Sequence, residues 1–201
     1  MKRCIELASN NIGYTYPNPL VGSVVVYKNK IIGEGCHARY GESHAEVNAI
    51  NSVKDKSLLK DSVLYVNLEP CNHYGKTPPC TEAIINNNIK KVVIGSKDPN
   101  GLVNGSGIEK LKSSGCNVSV GIMNKECTEL NKRFFTYHIQ KRPYIILKWA
   151  ESKDGFISPI KSFKTLGKVN WISGEDAKKL SHKWRSEEHS ILVGVQTIID
   201  D

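Results

Sequence analysis

The chain has little that could carry it into a membrane or through a secretory route. Its longest apolar runs, such as residues 24–26 and 144–147, fall far short of the ~18 residues that a transmembrane helix needs. No long apolar segment follows the charged start at Lys2 and Arg3, so the pattern of a signal peptide is missing. We therefore expect a cytoplasmic protein with no membrane partner, and we expect its six cysteines to be thiols or metal ligands.

Aromatic residues are also scarce, at 7 % of the chain, whereas basic residues exceed acidic ones by 28 to 20. The excess of +8 favours a partner that carries phosphate, either a nucleic acid or a phosphorylated small molecule. A solvated basic surface is the ordinary alternative. Proteins that bind single strands usually offer exposed aromatic side chains for stacking, so the composition argues against a nucleic-acid partner.

Apolar periodicity and turn residues predict an α/β domain over residues 1–142. Helices are predicted at 2–11, 44–51 (with Ser43 as the N-cap), 81–88, 108–114 and 124–138, and strands at 20–27, 31–35, 62–68, 91–95 and 117–121. Because helices and strands alternate, we expect a largely parallel sheet that begins with an antiparallel hairpin.

A second domain is predicted to begin after the Lys141-Arg142-Pro143 boundary and to occupy residues 143–201. Two strands, at 144–149 and 190–195, and one helix, at 175–186, are predicted there. So few elements, ending on an apolar strand, indicate the N-terminal portion of an incomplete domain.

Three short segments carry the residues of a metal site. His44 starts a predicted helix, Cys71 follows a predicted strand, and Cys80 starts the next helix. One histidine and two cysteines are ligands that zinc prefers, and a three-ligand site leaves a fourth position for water, as in catalytic zinc sites. Taken singly, such a histidine is more often structural and such a cysteine more often a small core residue. Together they predict one Zn²⁺ per chain.

Glu46 lies two residues after the predicted histidine ligand. Residues two apart on a helix do not share a face, so Glu46 is predicted to move protons at the zinc-activated water rather than to bind the metal. The remaining cysteines are predicted to be buried free thiols: Cys4, Cys36, Cys116 and Cys127. A non-catalytic zinc module would need a fourth protein ligand, for which His73 is the local candidate.

These motifs resemble the cytidine-deaminase-like superfamily and, more narrowly, the bifunctional deaminase/reductase of riboflavin biosynthesis. The segments that carry this resemblance are residues 16–22 (YPNPLVG), 33–37 (GEGCH), 41–49 (GESHAEVNA), 68–80 (LEPCNHYGKTPPC) and 97–100 (KDPN). Eight residues separate the two zinc cysteines, as in the riboflavin enzymes, whereas most of the superfamily has two. This spacing argues against the runner-up interpretation, a tRNA or nucleobase deaminase.

The resemblance implies a cytidine-deaminase-like three-layer α/β/α domain with a mixed five-stranded sheet. It also implies a phosphorylated aminopyrimidine substrate, 2,5-diamino-6-(phosphoribosylamino)pyrimidin-4-one, which is deaminated to a 5-amino-uracil. By the same resemblance the substrate site is lined by Asn18, His37, Lys76, Asp98 and Asn100. Lys76 suits a phosphate as a point charge, and Asn18 offers a donor and an acceptor to a pyrimidine edge. For Asp98 and Asn100 a simple turn-forming role is the alternative.

Residues 143–201 resemble the start of the family's dihydrofolate-reductase-like reductase domain, through residues 143–150, 154–155, 171–173 and 191–201. The resemblance implies NADPH contacts at Ala150, Trp171, Thr197 and Asp201, and a substrate contact at Arg185. Val169 stands where relatives often have a substrate-contacting serine. We expect NADPH-dependent reduction only from a complete second domain, and homo-oligomerisation is left open.

Overall fold

The computed structural model describes residues 1–101, 103–157 and 171–200, and it divides into two compact units, Met1–Tyr144 and Ile145–Asp201. The first unit contains α1 (Lys2–Ser9), β1 (Gly22–Tyr27), β2 (Lys30–Cys36), α2 (Ala45–Ser52), a 3₁₀ helix (Lys56–Asp61), β3 (Val63–Leu68), α3 (Cys80–Asn86), β4 (Lys91–Ser96), α4 (Ser106–Ser113), β5 (Asn117–Val120), α5 (Asn124–Leu130) and α6 (Lys132–Gln140). The predicted elements are present with boundaries shifted by at most two residues, apart from the last helix, which is divided. The 3₁₀ helix is a connection that the sequence patterns did not predict.

The five strands form one mixed sheet in the order β2-β1-β3-β4-β5. β1 runs antiparallel to both β2 and β3, whereas β3, β4 and β5 are parallel to one another. The expected mixed five-stranded sheet is confirmed, with half of its strand pairs parallel. This topology brings the start of β1 and the ends of β2, β3 and β4 to the same edge of the sheet.

Helices cover both faces of the sheet. On one face α2 packs against β1 and β2 and is followed by α3 and α4, and on the other face α1 packs beside α5. β2 approaches α2 so closely that a Cβ on Gly35 would lie 2.3 Å from the backbone nitrogen of Ala49. Only glycine allows this approach, which places the first turn of α2 next to the end of β2.

The core lies between the sheet and the helices α2, α3 and α4. It is made almost entirely of aliphatic side chains. Its largest fully buried members include Leu59, Leu64, Val66, Ile84, Ile89, Ile94 and Leu111. Three of the four cysteines without a predicted metal role are buried free thiols as expected, but Cys36 is only half-buried. Cys36 ends β2 at the sheet edge, where the chain leaves the protection of the core.

Two local predictions about helices need correction. The N-cap of α2 is His44, not Ser43, and its side chain does not cap the helix. The predicted helix 124–138 is interrupted at Asn131, which ends α5 and precedes α6. The Asn131 side chain is buried and hydrogen-bonds the backbone of Leu20, so a tertiary contact overrides the helical periodicity.

The second unit contains α7 (Glu175–Ser186), as predicted, and α8 (Val195–Asp200). The two strands predicted at 144–149 and 190–195 are wrong: the described residues there form no strand, and α8 begins at Val195. Their apolar side chains are exposed, with Leu147 at 77 % and Leu192 at 99 %. A strand needs a neighbour for its backbone hydrogen bonds, and the described part of this unit contains no strand to pair with them.

Among the described helices, none has both the length and the apolar character that crossing a membrane requires.

Candidate active site

The sheet edge gathers four loops around one pocket. Residues 17–21 precede β1, His37 follows β2, Cys71 lies just beyond β3, and Asp98 lies just beyond β4. The pocket has a volume of about 400 Å³, and its lining includes Asn18, His37, Lys76, Asp98 and Asn100 together with His44, Glu46 and Cys71. Cys80 contacts His44 and Cys71 directly. The structure therefore brings the predicted deaminase-site residues to one place.

His44, Cys71 and Cys80 form the central cluster. Their ligand atoms all lie within 4.8 Å of one another. His44 Nδ1 is 3.2 Å from Cys80 Sγ and 3.4 Å from Cys71 Sγ. Two sulfurs and one nitrogen around a tetrahedral zinc would be separated by roughly 3.5 Å, given the usual Zn–S and Zn–N distances, so the cluster fits this metal.

The start of α3 shapes the electrostatics of the cluster. The backbone N–H of Cys80, the first residue of α3, donates to Cys71 Sγ over 3.4 Å. Hydrogen bonds from Cys80 and His44 lower the pKa of the Cys71 thiol to about 4. The hydrogen bond to Cys71 in turn raises the pKa of His44. The hydrogen bond between the two thiols raises the pKa of Cys80, so the pair favours one thiolate, on Cys71, and thiolate is the form of cysteine that binds zinc.

The alternative fourth ligand, His73, is not part of this cluster. Among the residues that the structure describes, the only group of three or more His, Cys, Asp or Glu side chains able to hold a metal is His44, Cys71 and Cys80. His73 lines the pocket and is exposed. An open three-ligand site is the arrangement of catalytic zinc, whereas structural zinc is usually closed by four protein ligands.

Glu46 lies in the first turn of α2 and lines the same pocket. Its side chain is 3 % exposed, and burial raises its pKa to about 7. A carboxyl group whose pKa lies near neutrality can both accept and donate protons, which is the requirement for a general acid–base group.

Half-buried Asn18 and buried His37 form a polar pair in the pocket wall. The Nδ1–H of His37 donates to the carbonyl of Ser43 at 3.2 Å, so Nε2 accepts from Asn18 Nδ2 at 3.0 Å. His37 is 3 % exposed, and burial lowers its pKa. A neutral imidazole therefore orients the Asn18 amide, as suits recognition of an uncharged ring.

Asp98 and Asn100 lie in the loop after β4. Asp98 Oδ1 accepts the backbone N–H of Asn100 at 2.8 Å, an Asx turn of the kind considered as the alternative to a binding role. Burial raises the pKa of Asp98 to about 6, and the negative charge of Glu69 adds to the effect. Both residues line the pocket, so the turn and a binding role are compatible.

Glu69 holds this loop in place, a role that the sequence patterns did not indicate. It is 4 % exposed, and its carboxylate accepts backbone N–H groups at 3.0–3.2 Å from Asp98, Gly105, Gly107 and Ile108. A Cβ on Gly107 would lie 2.0 Å from the carbonyl oxygen of Pro70. The segment 105–107 wraps this carboxylate. An acidic residue directly after a buried strand was the signal available in the sequence.

Lys76 lies at the exposed mouth of the pocket in the segment between the two zinc cysteines. Its Nζ stands 4.0 Å from the centre of the Tyr40 ring, a cation–π contact that restrains a long flexible side chain. The positive charge is thus presented at the pocket rim. Phe134 and His138 of α6 also line the pocket, and these two residues were not predicted as site residues.

The residues predicted for the reductase function are distributed over the second unit. Three separate segments contain Ala150, Trp171 and Thr197, and each of these side chains is exposed. Arg185 is exposed on α7. Trp171 has Lys178 Nζ 4.0 Å above its ring. Val169 and Asp201 lie outside the described residues. The roles assigned to this set remain predictions.

A three-layer fold with a mixed five-stranded sheet, an open His–Cys–Cys cluster at the sheet edge and a buried glutamate beside it defines the cytidine-deaminase class of zinc-binding domains. Residues 1–96 match the family described as the cytidine and deoxycytidylate deaminase zinc-binding region. Residues 143–201 match the RibD C-terminal domain.

More specific similarities come from individual proteins. The riboflavin biosynthesis protein RibD of Aquifex aeolicus is 47 % identical over all 201 residues, which cover 54 % of that protein. The diaminohydroxyphosphoribosylamino-pyrimidine deaminase of Buchnera aphidicola is 50 % identical over 135 residues, 67 % of this chain and 90 % of that protein. The solved structure of Acinetobacter baumannii RibD matches all of this chain and 54 % of its own, with a TM-score of 0.90 and 38 % identity.

The chain belongs to the family of diaminohydroxyphosphoribosylamino-pyrimidine deaminases, since it covers nearly all of the Buchnera protein. It spans about half the length of the curated RibD relatives that it matches.

Proposed function

We propose that this chain removes an amino group by hydrolysis from 2,5-diamino-6-(phosphoribosylamino)pyrimidin-4-one, a reaction of riboflavin biosynthesis. Water adds to the ring carbon, the carbon–nitrogen bond breaks, and ammonia and a 5-amino-uracil are the products. The single observation that carries this proposal is the open His44–Cys71–Cys80 cluster beside buried Glu46 in one pocket. The name of the Buchnera relative supports the choice of substrate.

In this proposal His44, Cys71 and Cys80 hold one zinc ion. When bound, zinc supplies Lewis acidity that makes a water nucleophile available near neutral pH. The cluster is prepared for this role by the thiolate character of Cys71 and by the contact of its sulfur with the start of α3.

Glu46 moves the protons of the reaction. It accepts a proton from the attacking water and delivers protons to the ring nitrogen and to the leaving amino group. Its burial excludes competing solvent, and its pKa of about 7 suits both directions of transfer.

The remaining pocket residues position the substrate. The amide of Asn18, oriented by His37, faces the pyrimidine edge, and Asp98 and Asn100 are assigned to the ribose hydroxyl groups. Lys76, restrained by Tyr40 at the pocket mouth, is assigned to the phosphate.

For residues 143–201 we propose the start of an NADPH-dependent reductase domain, with the cofactor near Ala150, Trp171, Thr197 and Asp201 and with Arg185 at the substrate. The match to the RibD C-terminal domain supports this assignment. The described side chains of this set are exposed on separate segments. A cytoplasmic location, and reaction with a small molecule instead of a nucleic acid, are further parts of the proposal.

The direct test is ammonia release by the zinc-loaded chain from the diamino-pyrimidinone phosphate, with mass spectrometry to show that one amino group has been replaced by oxygen. Glu46→Gln should retain zinc but lower the rate by at least ~10²-fold, the lower end for a lost general acid–base group. Glu109→Gln, an exposed residue of α4, is the matched control and should retain the activity. Equal rates with cytidine or with a tRNA would contradict the substrate, and near-native turnover of Glu46→Gln would contradict the proton path.

A further inference from the structure

Asn131 connects two walls of the pocket that are far apart in the chain. Its Oδ1 accepts the backbone N–H of Leu20 at 2.7 Å, and its Nδ2 donates to the carbonyl of Leu20 at 2.8 Å. One amide side chain therefore satisfies both backbone groups of one residue. The two residues are separated by 111 positions in the sequence, so this is a tertiary contact between the segment before β1 and the junction of α5 and α6.

The contact requires an interruption of regular helix. Asn131 has φ −101° and ψ 22° and stands between α5 and α6, where apolar periodicity alone predicts one continuous helix. Its side chain is 3 % exposed. A buried amide is stable only when its donors and acceptors are paired, and the two bonds to Leu20 provide that pairing.

Both segments that Asn131 joins lead directly into the pocket. Leu20 lies two residues after Asn18, whose amide is hydrogen-bonded to His37. On the other side, α6 begins immediately after Asn131 and carries Phe134 and His138, which line the pocket. The pair of hydrogen bonds therefore couples the wall formed by residues 17–21 to the wall formed by α6.

Asn67 contacts the same segment but in a different way. Its Nδ2 donates to the Leu20 carbonyl at 2.9 Å, while its Oδ1 accepts the N–H of Gly22, the first residue of β1. Asn67 thus ties the segment to the neighbouring strand β3. Only Asn131, among the side chains whose hydrogen bonds are described, bonds both backbone groups of Leu20 and links them to α6.

We infer that Asn131 is a positioning residue for the deaminase reaction, which acts by holding Asn18 at the distance from α6 that the pyrimidine requires. This inference rests on the proposed function. Asn131 itself does not touch the substrate, because its amide is occupied by Leu20. Since Asn18 contacts the ring in the ground state and the transition state alike, loss of the tether raises KM more than it lowers kcat.

The experiment uses the zinc-loaded 201-residue chain with two substitutions at this position. Asn131→Asp keeps the shape but places a carboxylate oxygen against the Leu20 carbonyl, whereas Asn131→Ser removes both bonds without burying a charge. Asn124→Asp, at the exposed start of α5, is the control for the charge change. We expect each Asn131 variant to raise KM about tenfold, the effect of one misplaced hydrogen bond, with unchanged zinc content and kcat within about threefold.

A double-mutant cycle separates positioning from a general loss of stability. If Asn131 acts through Asn18, Asn131→Ser should have little further effect on KM in an Asn18→Ala background. Effects that multiply, or an unchanged KM in a folded Asn131→Ser protein at a temperature well below its unfolding midpoint, would overturn the inference.

Amide hydrogen exchange gives a readout that does not depend on activity. Because the Leu20 N–H donates to Asn131, a peptide covering residues 16–22 should exchange faster in Asn131→Ser than in the wild-type chain. Unchanged exchange there would refute the tether itself. If the wild-type chain releases no ammonia, the proposed function fails instead, and the exchange measurement still decides whether Asn131 holds the segment.

Discussion

The two units of the chain contain similar apolar runs, which differ in how far their side chains are buried. In Met1–Tyr144 the run at the centre of β1 is buried, with Val24 at 3 % and Val25 at 0 % exposure. In the second unit no side chain is buried among the described residues 145–157 and 171–199, and Leu192 is 99 % exposed.

The difference lies in the partners and not in the local sequence. β1 has a strand on each side, so its backbone groups are paired and its side chains are covered by α1 and α2. The runs near Ile146 and Leu192 have no neighbouring strand in the described residues of their unit. Apolar, β-branched sequence favours a strand only when non-local pairing is available, and this requirement explains why the two predicted strands are absent.

The largest effect expected in this comparison is loss of the metal from the first unit. Cys71→Ser should remove most of the zinc and abolish ammonia release, because two remaining ligands are too few for a stable site. Cys36→Ser, in the same unit but outside the cluster, should keep both. Elemental analysis of the purified proteins measures the outcome, and full zinc occupancy in Cys71→Ser would refute the assignment.

A matched pair of leucines tests the difference in burial directly. Leu64 of β3 is 0 % exposed and belongs to the core, whereas Leu192 is almost fully exposed. Leu64→Ala should lower the free energy of unfolding by about 2–5 kcal/mol, and Leu192→Ala should change it by less than about 0.5 kcal/mol. Chemical denaturation of the zinc-loaded proteins measures both values. Similar losses in the two variants would show that the second unit has a core of its own.

Two aspartates extend the comparison to electrostatics. Burial raises the pKa of Asp98 from 3.8 to about 6, whereas the hydrogen bond from Ser152 lowers the pKa of exposed Asp154. Because folded Asp98 binds its proton more tightly than the unfolded chain does, its stabilising contribution is present at low pH and is lost as pH rises through about 6.

Asp98→Asn removes this dependence. Its free energy of unfolding should increase relative to that of the wild type by roughly 1 kcal/mol between pH 5 and pH 8. Denaturation at several pH values provides the measurement, and Asp154→Asn is the control, which should not alter the pH profile. A relative stability of Asp98→Asn that stays constant over this range would contradict the burial argument.

The smallest expected effect concerns an exposed residue of the first unit. Lys76 is exposed, like many residues of the second unit, but its contact with Tyr40 restrains its side chain. Lys76→Ala should raise KM for the phosphorylated substrate roughly tenfold, the size of one charge-assisted contact, and should leave KM for the dephosphorylated analogue unchanged. Lys110→Ala on α4 serves as the control. Equal losses with both substrates would mean that Lys76 does not meet the phosphate.

Much of the fold of the first unit is predictable from local patterns. Turn residues and alternating helices and strands predict nine of its elements to within two residues at each end, because each pattern reports a short-range preference. The division of the last helix at Asn131 is not predictable in this way. It depends on two hydrogen bonds to Leu20, and the sequence near residue 131 does not indicate that partner.

The sequence by itself determined the chemistry of the metal site. His44, Glu46, Cys71 and Cys80 could be assigned from their types and from their places at the ends of predicted elements, because zinc accepts few ligand types and needs them at element ends that meet. The tertiary structure alone decided how the pocket around them is held: Glu69 binds the loop after β4, Asn131 binds the segment before β1, and Tyr40 restrains Lys76. These contacts join residues far apart in the chain. A buried polar side chain can bond only the backbone groups that the fold places beside it, so its partners cannot be read from the neighbouring sequence.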